Sequence, residues 1–349
     1  MTSGSRLTPR QRILNLIEGR PVDRTPFCPA VYEHKAALIA VKPAEMCRDA
    51  GLFEKAILRE LEVYEPDMLV VGCDVYNVEA ESAGGRVFYP DSNDVPAILE
   101  RVVHAGDDLS RLRLPDPLKS GRMPLHLEVG RRVQKKLGGE RIVRGALSAP
   151  FSIACELAGP EQMLIALLDR SDWVKGFLSY CAEITKSYGQ AFVERGLGLI
   201  LFDSHASPPL TYPEIYRKII LEPTRRVVAH FRDRLGVPLV PYIIGGDTAS
   251  LLEEILETGT NNILCDYKAD LSHFVERLKK EPVLLRANLD PLFLMMETEE
   301  KIREKAGEVL SRGRRHPRFL MGTGILPYDI APAKVVAVRA ALEAAGGSG

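Results

Sequence analysis

A short apolar segment that ends abruptly in polar side chains sets the strongest limit on the fold. Residues 199–202 read Leu-Ile-Leu-Phe and run directly into Asp203, Ser204 and His205. A continuous apolar run of this length, bounded by turn residues, is typical of a strand that is buried on both faces. Parallel α/β proteins carry their chemistry at the carboxyl ends of such strands. We therefore expect a parallel α/β fold with its functional groups at the strand ends.

The same pattern recurs along the chain and alternates with helical stretches. Apolar segments predict eight strands, at residues 27–31, 67–74, 141–147, 199–202, 237–244, 262–266, 282–288 and 318–322. Helical patterns lie between them, at residues 52–64, 125–137, 152–196, 212–235, 251–256, 271–279, 299–310 and 333–344. This alternation, without a Rossmann glycine motif, favours the α/β class and a (β/α)8 TIM barrel over a doubly wound sheet. We expect a single domain over 1–349, with an N-terminal helical segment at 8–20 and a long insertion at 76–140.

Composition narrows the classes of function. The chain has 349 residues and a formal net charge of −1, so it lacks the basic footprint of a nucleic-acid-binding protein. It has no run of about 18 apolar residues and its first residues lack an apolar signal core, so we expect a cytoplasmic protein without a membrane span. The six cysteines form no C-x-x-C pair and match no local zinc spacing, which favours buried free thiols.

If the chain closes into a barrel, eight strand ends converge on one mouth. The groups supplied there are carboxylates, histidines, hydroxyls, an amide and a thiol: Tyr32, Glu33, His34, Asp74, Tyr76, Ser148, Asp203, Ser204, His205, Tyr242, Asp247, Cys265, Asp266, Asn288, Asp290 and Thr323. This set suits general acid–base chemistry or a divalent metal. Structural roles compete with that interpretation: Asp203 and Asp266 can cap a loop or helix, and His205 can be an inner histidine.

The polar stretch after the second strand offers further candidates. Glu79 and Glu81 are two residues apart and share a face if the segment is extended, either as a functional pair or as a solvated one. The remaining histidines fall in helical or polar context and are expected at the surface: His104, His126, His230, His273 and His316.

Several motifs resemble the uroporphyrinogen decarboxylase superfamily, which also contains zinc-dependent methyltransferases that act on methylated corrinoid proteins. The resemblance runs from Thr8 to Leu342 and rests on residues 8–12, 21–26, 121–124, 149–152, 202–206, 287–291 and 322–327. It implies a (β/α)8 barrel, the fold that the strand count also predicts.

The decarboxylase branch matches in part. By resemblance, its catalytic aspartate aligns with Asp74 and its serine with Ser204. Its arginine-bearing segment reads Tyr-Glu-His-Lys here at residues 32–35, its tyrosine falls near Glu156, and its late histidine falls on Thr323. A substrate with many carboxylates needs cationic partners. A decarboxylase of porphyrinogens or a smaller acid, and a non-catalytic barrel of the same family, therefore remain alternatives.

The zinc-dependent branch carries a His-x-Cys-Gly motif after the fifth strand and a further cysteine after the eighth. The aligned stretch here, residues 243–248, reads Ile-Ile-Gly-Gly-Asp-Thr, and the late cysteine falls on Thr323. All three zinc ligands are missing. Because zinc in that branch holds a thiol as its thiolate, we do not expect a thiol acceptor such as coenzyme M.

The remaining resemblance is to methyltransferases that pass a methyl group from a methoxylated or methylated small molecule to a corrinoid protein. It implies an O-demethylase type of reaction, with the corrinoid carried by a partner protein and a small-molecule methyl donor. A methyl ether is inert until its oxygen is protonated or bound by a metal. A homodimer is a further expectation, since barrels often dimerise through apolar helix faces.

These considerations select the candidate site. We predict as catalytic Asp74, Glu81, Ser204, His205 and His34. We predict as substrate-binding Tyr32, Glu33, Tyr76, Asn77, Glu79, Glu156, Asp203, Tyr242, Asp247, Asp266, Asn288, Thr323 and Tyr328. If a zinc ion is bound, its candidate ligands are His34, Glu81 and Cys265.

Overall fold

Eight parallel strands surround a common axis in the computed structural model, which describes residues 6–74 and 76–346. Together with a separate two-stranded hairpin, the described residues form ten strands: β1 (Phe27–Ala30), β2 (Met68–Val71), β3 (Arg86–Phe88), β4 (Ala97–Glu100), β5 (Ile142–Ser148), β6 (Gly198–Phe202), β7 (Pro241–Ile243), β8 (Asn262–Cys265), β9 (Leu284–Leu289) and β10 (Phe319–Ile325). The hydrogen-bonded order is β1-β10-β9-β8-β7-β6-β5-β2, and β3 pairs with β4 in a separate antiparallel hairpin. The predicted (β/α)8 barrel is confirmed.

The seam between β1 and β2 is closed by one residue rather than by a ladder. The backbone N–H of Asp67 donates to the carbonyl oxygen of Phe27 at 2.8 Å. The Asp67 carboxylate in turn accepts from the Phe27 N–H at 2.7 Å and forms ion pairs with Arg12 and Arg24. A buried carboxylate with two cationic partners thus holds the first two barrel strands together.

Helices surround the barrel. They are α1 (Pro9–Ile17), α2 (His34–Ala37), α3 (Pro43–Met46), α4 (Ala50–Tyr64), α5 (Asn77–Ser82), α6 (Met123–Leu137), α7 (Pro150–Ala158), α8 (Pro160–Asp169), α9 (Ser171–Val193), α10 (Pro213–Ile215), α11 (Leu221–Ala229), α12 (Leu252–Glu257), α13 (Leu271–Leu278), α14 (Pro291–Met296), α15 (Glu299–Gly313) and α16 (Pro332–Gly346). Thr8 caps α1 through the N–H of Gln11, with Pro9 at the first helical position. Within the described residues, no single helix is long and apolar enough to cross a membrane; α7 and α8, bent by 109°, reach that length and hydropathy only as a pair.

Apolar side chains and two buried arginines, Arg144 and Arg286, occupy the barrel below its carboxyl-terminal end. At the opposite end, Ile13 and Leu16 of α1 pack on Cys28, Met68 and neighbouring strand residues. The interior contains Ala30, Tyr32, Val70, Ile200, Phe202, Ile243 and Leu264. All six cysteines are buried and free, as the sequence predicted.

Two local predictions are wrong. The segment after β2 is the helix α5, in which side chains two apart point to different sides, so Glu79 and Glu81 do not share a face. His126 and His316 were expected at the surface but are buried. His126 lies on the inner face of α6 against Phe53, with ring centroids 5.3 Å apart, and His316 Nε2 lies 3.1 Å from the backbone oxygen of Leu278.

Candidate active site

A half-buried histidine–carboxylate pair lies at the mouth of the barrel. His205 follows β6 and Glu156 is on α7, and His205 Nε2 is 3.5 Å from Glu156 Oε1. Their side chains remain 23% and 20% exposed, so solvent reaches both. The Tyr76 ring packs edge-on against His205 with centroids 5.5 Å apart, and its hydroxyl oxygen accepts the Ser204 N–H at 3.2 Å. We call His205 and Glu156 the mouth pair.

Burial shifts the two members of the mouth pair in opposite directions. It lowers the pKa of His205 and raises the pKa of Glu156, because each charged form loses hydration. The two proton affinities therefore move toward each other. His205 Nδ1 is buried and has no hydrogen-bond partner among the described residues. Such a pair can hold one proton and release it to a group bound in the mouth.

Asp203 lies directly behind the mouth pair and is fully buried. One carboxylate oxygen accepts the Ser152 N–H at 2.7 Å and the other accepts the Tyr242 hydroxyl at 2.7 Å. Tyr216 donates its hydroxyl to Tyr242 at 2.9 Å. Asp203 thus caps the first turn of α7, the helix that carries Glu156. The helix that it caps comes before β6 in the chain and not after it. Burial nevertheless raises the pKa of Asp203 to about 6.

Arg122 gathers two of the predicted catalytic carboxylates. Its guanidinium donates to both oxygens of Asp74, at 2.9 and 2.7 Å, and its Nε donates to Glu81 at 2.6 Å. Glu81 also accepts the Tyr89 hydroxyl at 3.1 Å. The structure therefore brings Asp74 and Glu81 together, but as acceptors of one buried arginine. Sequence reasoning did not single out Arg122, although it lies in the motif at residues 121–124.

Glu79 and Asn77 face inward from α5. Both oxygens of Glu79 bind Ser148 at the end of β5, one through the backbone N–H at 2.7 Å and one through the hydroxyl at 2.9 Å. Burial raises the pKa of Glu79. The Asn77 amide donates to the backbone oxygen of Pro96 in the loop that joins β3 to β4. These contacts position α5 beside the mouth.

Glycines leave space between the ends of β6 and β8. A Cβ atom added at Gly245 would lie 3.5 Å from Ser204 Oγ and 3.8 Å from Asp266 Oδ2. The Gly246 N–H donates to Asp266 at 2.8 Å, and Gly246 has a φ of +85°, which glycine adopts without strain. Asp247 is exposed in the following loop. The space beside Ser204 is thus bordered by backbone and one carboxylate.

The groups after β1 are a partly buried acid, Glu33, and side chains that make structural contacts. Burial raises the pKa of Glu33 to about 7. His34 uses both ring nitrogens, with Nε2 2.6 Å from the Tyr64 hydroxyl and Nδ1 2.9 Å from the backbone oxygen of Tyr328. The Tyr328 hydroxyl donates to the backbone oxygen of Val41 at 3.0 Å. His34 and Tyr328 therefore tie two loops together.

Three further candidates are engaged within the barrel wall. Tyr32 packs edge-on against Phe202, with centroids 5.6 Å apart. Asn288 Oδ1 accepts Arg286 Nε at 2.9 Å. Thr323 Oγ1 accepts the Ala30 N–H at 3.1 Å across the pairing of β1 with β10. Each contact fixes a side chain that lies near the mouth.

The residues present do not fit a zinc ion at the positions where the zinc-dependent branch holds one. Gly245 has no side chain, Asp247 is exposed in its loop, and the Thr323 hydroxyl is committed to Ala30. The three metal ligands predicted from the sequence are not brought together either: His34 binds Tyr64 and Glu81 binds Arg122. The Cys265 sulfur lies 3.9 and 4.0 Å from the backbone oxygens of Asp266 and Ala269.

Comparisons with known proteins give consistent results along nearly the whole chain. The sequence model of the family described as uroporphyrinogen decarboxylase (URO-D) matches residues 8–344. The methylcobamide:CoM methyltransferase MtbA of Methanosarcina acetivorans is 27% identical over 318 residues, which cover 88% of this chain and 90% of that protein. The uroporphyrinogen decarboxylase of Chloroflexus aggregans is 28% identical over 339 residues, 91% of each chain. The structure of a methyltransferase from Methanosarcina mazei has the same fold, with a TM-score of 0.86 at 22% identity, over 97% of this chain and 99% of that one.

Proposed function

Because this chain belongs to the uroporphyrinogen decarboxylase family, we propose that it moves a methyl group from a small methoxylated or methylated molecule to a corrinoid protein. Relatives in this family carry names for both methyl transfer and decarboxylation. The choice between the two therefore depends on the chemistry of the mouth.

The mouth pair carries this proposal. A methyl ether or a methylamine gives up its methyl group only if the departing oxygen or nitrogen is stabilised. A proton placed on that atom provides the stabilisation. His205 and Glu156 are 3.5 Å apart, are partly exposed to the mouth, and have pKa values that burial moves toward each other. They can therefore share a proton beside a bound methyl donor.

The methyl group, the electron pair and the proton of this transfer are all accounted for by the methyl donor, the mouth pair and a partner corrinoid protein. The bond between the methyl carbon and oxygen breaks, its electron pair stays on oxygen, and oxygen takes the proton held by the mouth pair. The partner's corrinoid, when bound, supplies reduced cobalt as the acceptor of the methyl group. Tyr76 orients His205 by edge-on packing, while Asp203 holds α7, and with it Glu156, against β6. Solvent then returns a proton to the pair.

A porphyrinogen decarboxylase is the second candidate, and two of the nearby buried cations are already paired. Its substrate carries several carboxylates, which need unpaired cations. Lys35 is paired with Glu60 at 3.2 Å, and Arg122 is occupied by Asp74 and Glu81. Decarboxylation remains the second candidate function because Asp74 and Ser204 match the decarboxylase pattern and because a decarboxylase is 28% identical to this chain.

Methyl transfer to a reduced corrinoid tests the proposal. The purified protein is incubated with reduced cobalamin, or a corrinoid protein, and a panel of methoxyarenes and methylamines. Visible absorption follows the methylated corrinoid, and mass spectrometry follows the demethylated product. We expect both products to form in equal amounts with at least one donor. Absence of transfer with the whole panel would contradict the proposal, and release of carbon dioxide from uroporphyrinogen would establish the decarboxylase instead.

A further inference from the structure

A cluster of potential metal ligands lies beside β2, apart from the mouth pair. The sulfur atoms of Cys47 and Cys73 and a carboxylate oxygen of Asp74 all lie within 4.8 Å of one another. In the described part of the chain, these are the three cysteine, histidine or acidic side chains grouped closely enough to share one ion. His126 is next to them, with its Nε2 atom 3.8 Å from the Cys73 sulfur.

The cluster joins segments that are distant in sequence. Cys47 directly follows α3, Cys73 and Asp74 come just after β2, and His126 is in the first turns of α6. Cys47 is 0% exposed, while Cys73, Asp74 and His126 are 2 to 3% exposed. The four side chains are therefore enclosed by protein, as in structural metal sites that admit no substrate.

The donor set is selective for a thiophilic divalent cation. Zinc prefers cysteine sulfur at about 2.3 Å and histidine nitrogen at about 2.0 Å in tetrahedral sites, so its ligand atoms are separated by roughly 3.5 Å. The Cys73 sulfur is 3.8 Å from His126 Nε2 and 3.0 Å from Asp74 Oδ1, which is this range of separations. Magnesium and calcium, which prefer oxygen ligands, are excluded by two sulfur atoms.

The charges of the neighbouring side chains also suit a divalent cation. Asp74 already has a bidentate cationic partner in Arg122, which leaves the carboxylate neutralised and still able to offer an oxygen lone pair. Two thiolates then balance a divalent ion, and a neutral imidazole adds no charge. The one charge left over is that of Glu81, the second partner of Arg122, whose side chain is 19% exposed and so keeps part of its hydration.

We infer that Cys47, Cys73 and Asp74 bind a zinc ion, with His126 beside the fourth coordination position. The ion would link α3, the end of β2 and α6, and would hold Arg122 in place behind the mouth. This site uses none of the residues at the zinc positions of the zinc-dependent branch. The inference does not depend on the proposed methyl transfer.

Cobalt titration tests the site without an activity assay. Protein that has been reduced and freed of metal with a chelator is titrated with Co²⁺, and the sulfur-to-cobalt charge-transfer absorption is recorded before Zn²⁺ is added to displace it. The variants are Cys47→Ser and Cys73→Ser. Cys181→Ser and Cys265→Ser are matched controls, because both replace buried free thiols elsewhere in the barrel. Circular dichroism checks that each protein is folded.

We expect one equivalent of Co²⁺ with charge-transfer absorption in the unmodified protein and both controls. Each single variant should show weaker absorption, because one thiolate remains, and should bind Co²⁺ about 10- to 100-fold more weakly. The double variant Cys47→Ser/Cys73→Ser should lose the absorption. Zn²⁺ should raise the thermal unfolding midpoint of the unmodified protein but not of the double variant. Absence of stoichiometric binding, or a band that survives both substitutions, would overturn the inference. A Cys47–Cys73 disulfide in unreduced protein, with no metal binding after reduction, would also overturn it.

Discussion

Tyr242 donates its hydroxyl to the Asp203 carboxylate at 2.7 Å, and at most 1% of either residue is exposed. The contact joins β7 to the end of β6, immediately before Ser204 and His205. Burial raises the pKa of Asp203 to about 6 even though two donors favour its ionised form. A buried carboxyl group that changes its charge near pH 6 therefore lies directly beneath the mouth of the barrel.

Replacement of Asp203 by Asn should remove a specific pH dependence of stability. Between the usual aspartate pKa of 3.8 and the raised value of about 6, the folded protein binds more protons at this site than the unfolded chain. The contribution of Asp203 to the free energy of unfolding therefore falls as pH rises through this range, by up to about 3 kcal/mol. Thermal midpoints of Asp203→Asn and the unmodified protein, measured from pH 4 to 7, should converge or cross. Parallel curves for the two proteins would refute this assignment.

The Arg122→Met substitution should strongly destabilise the fold. It leaves Asp74 buried without its cationic partner and removes the contact with Glu81. Loss of one member of a buried ion pair costs about 3–5 kcal/mol, and the double variant Arg122→Met/Asp74→Asn should recover part of that loss. Chemical denaturation monitored by circular dichroism measures both. Arg131→Met, which breaks an exposed pair with Glu128, is the control and should change little. Equal midpoints for Arg122→Met and the control would show that the buried pair contributes no stability.

The Glu156→Gln substitution should slow methyl transfer by about 100-fold or more in kcat, since it removes a proton-holding member of the mouth pair. The methyl-corrinoid assay should also show an altered pH profile, because His205 would then titrate without a carboxylate partner. Glu161→Gln, an exposed residue at the start of α8, serves as the control. If kcat and its pH profile match those of the control, proton delivery by the mouth pair is ruled out.

Alanine at the two adjacent mouth glycines should have different effects. At Gly245 the new methyl group meets Ser204 and Asp266 at ordinary contact distances of 3.5 and 3.8 Å, so stability should hold while KM for the methyl donor rises. At Gly246 the φ of +85° strains any L side chain, and stability should fall by about 1–2 kcal/mol. Thermal midpoints and steady-state kinetics of Gly245→Ala and Gly246→Ala separate the two effects. The reverse order of stabilities would contradict a left-handed backbone conformation at Gly246.

Most barrel strands could be located from local pattern, because a buried strand must be apolar over its own length. The least accurate prediction is the fifth barrel strand, expected at 237–244 and observed as β7 (Pro241–Ile243). In the preceding stretch, the Val240 N–H donates to the Asn261 side chain instead of joining a ladder. The helix α5 was missed because its six residues, with a buried acid at Glu79, show no clear helical period.

The sequence by itself determined the order of strands and helices, the barrel, and the strand ends at which polar groups collect. Only the tertiary structure decided which of those groups are partners. Glu156 and His205 meet because α7 packs beside the end of β6, and Asp74 is paired with a residue 48 positions away, Arg122. Apolar periodicity is a local property of the chain, whereas an ion pair or a ligand cluster depends on distances that exist only after the barrel has closed. For that reason Asp74, predicted from the sequence as a catalytic residue, lies in the structure between an arginine and two buried thiols.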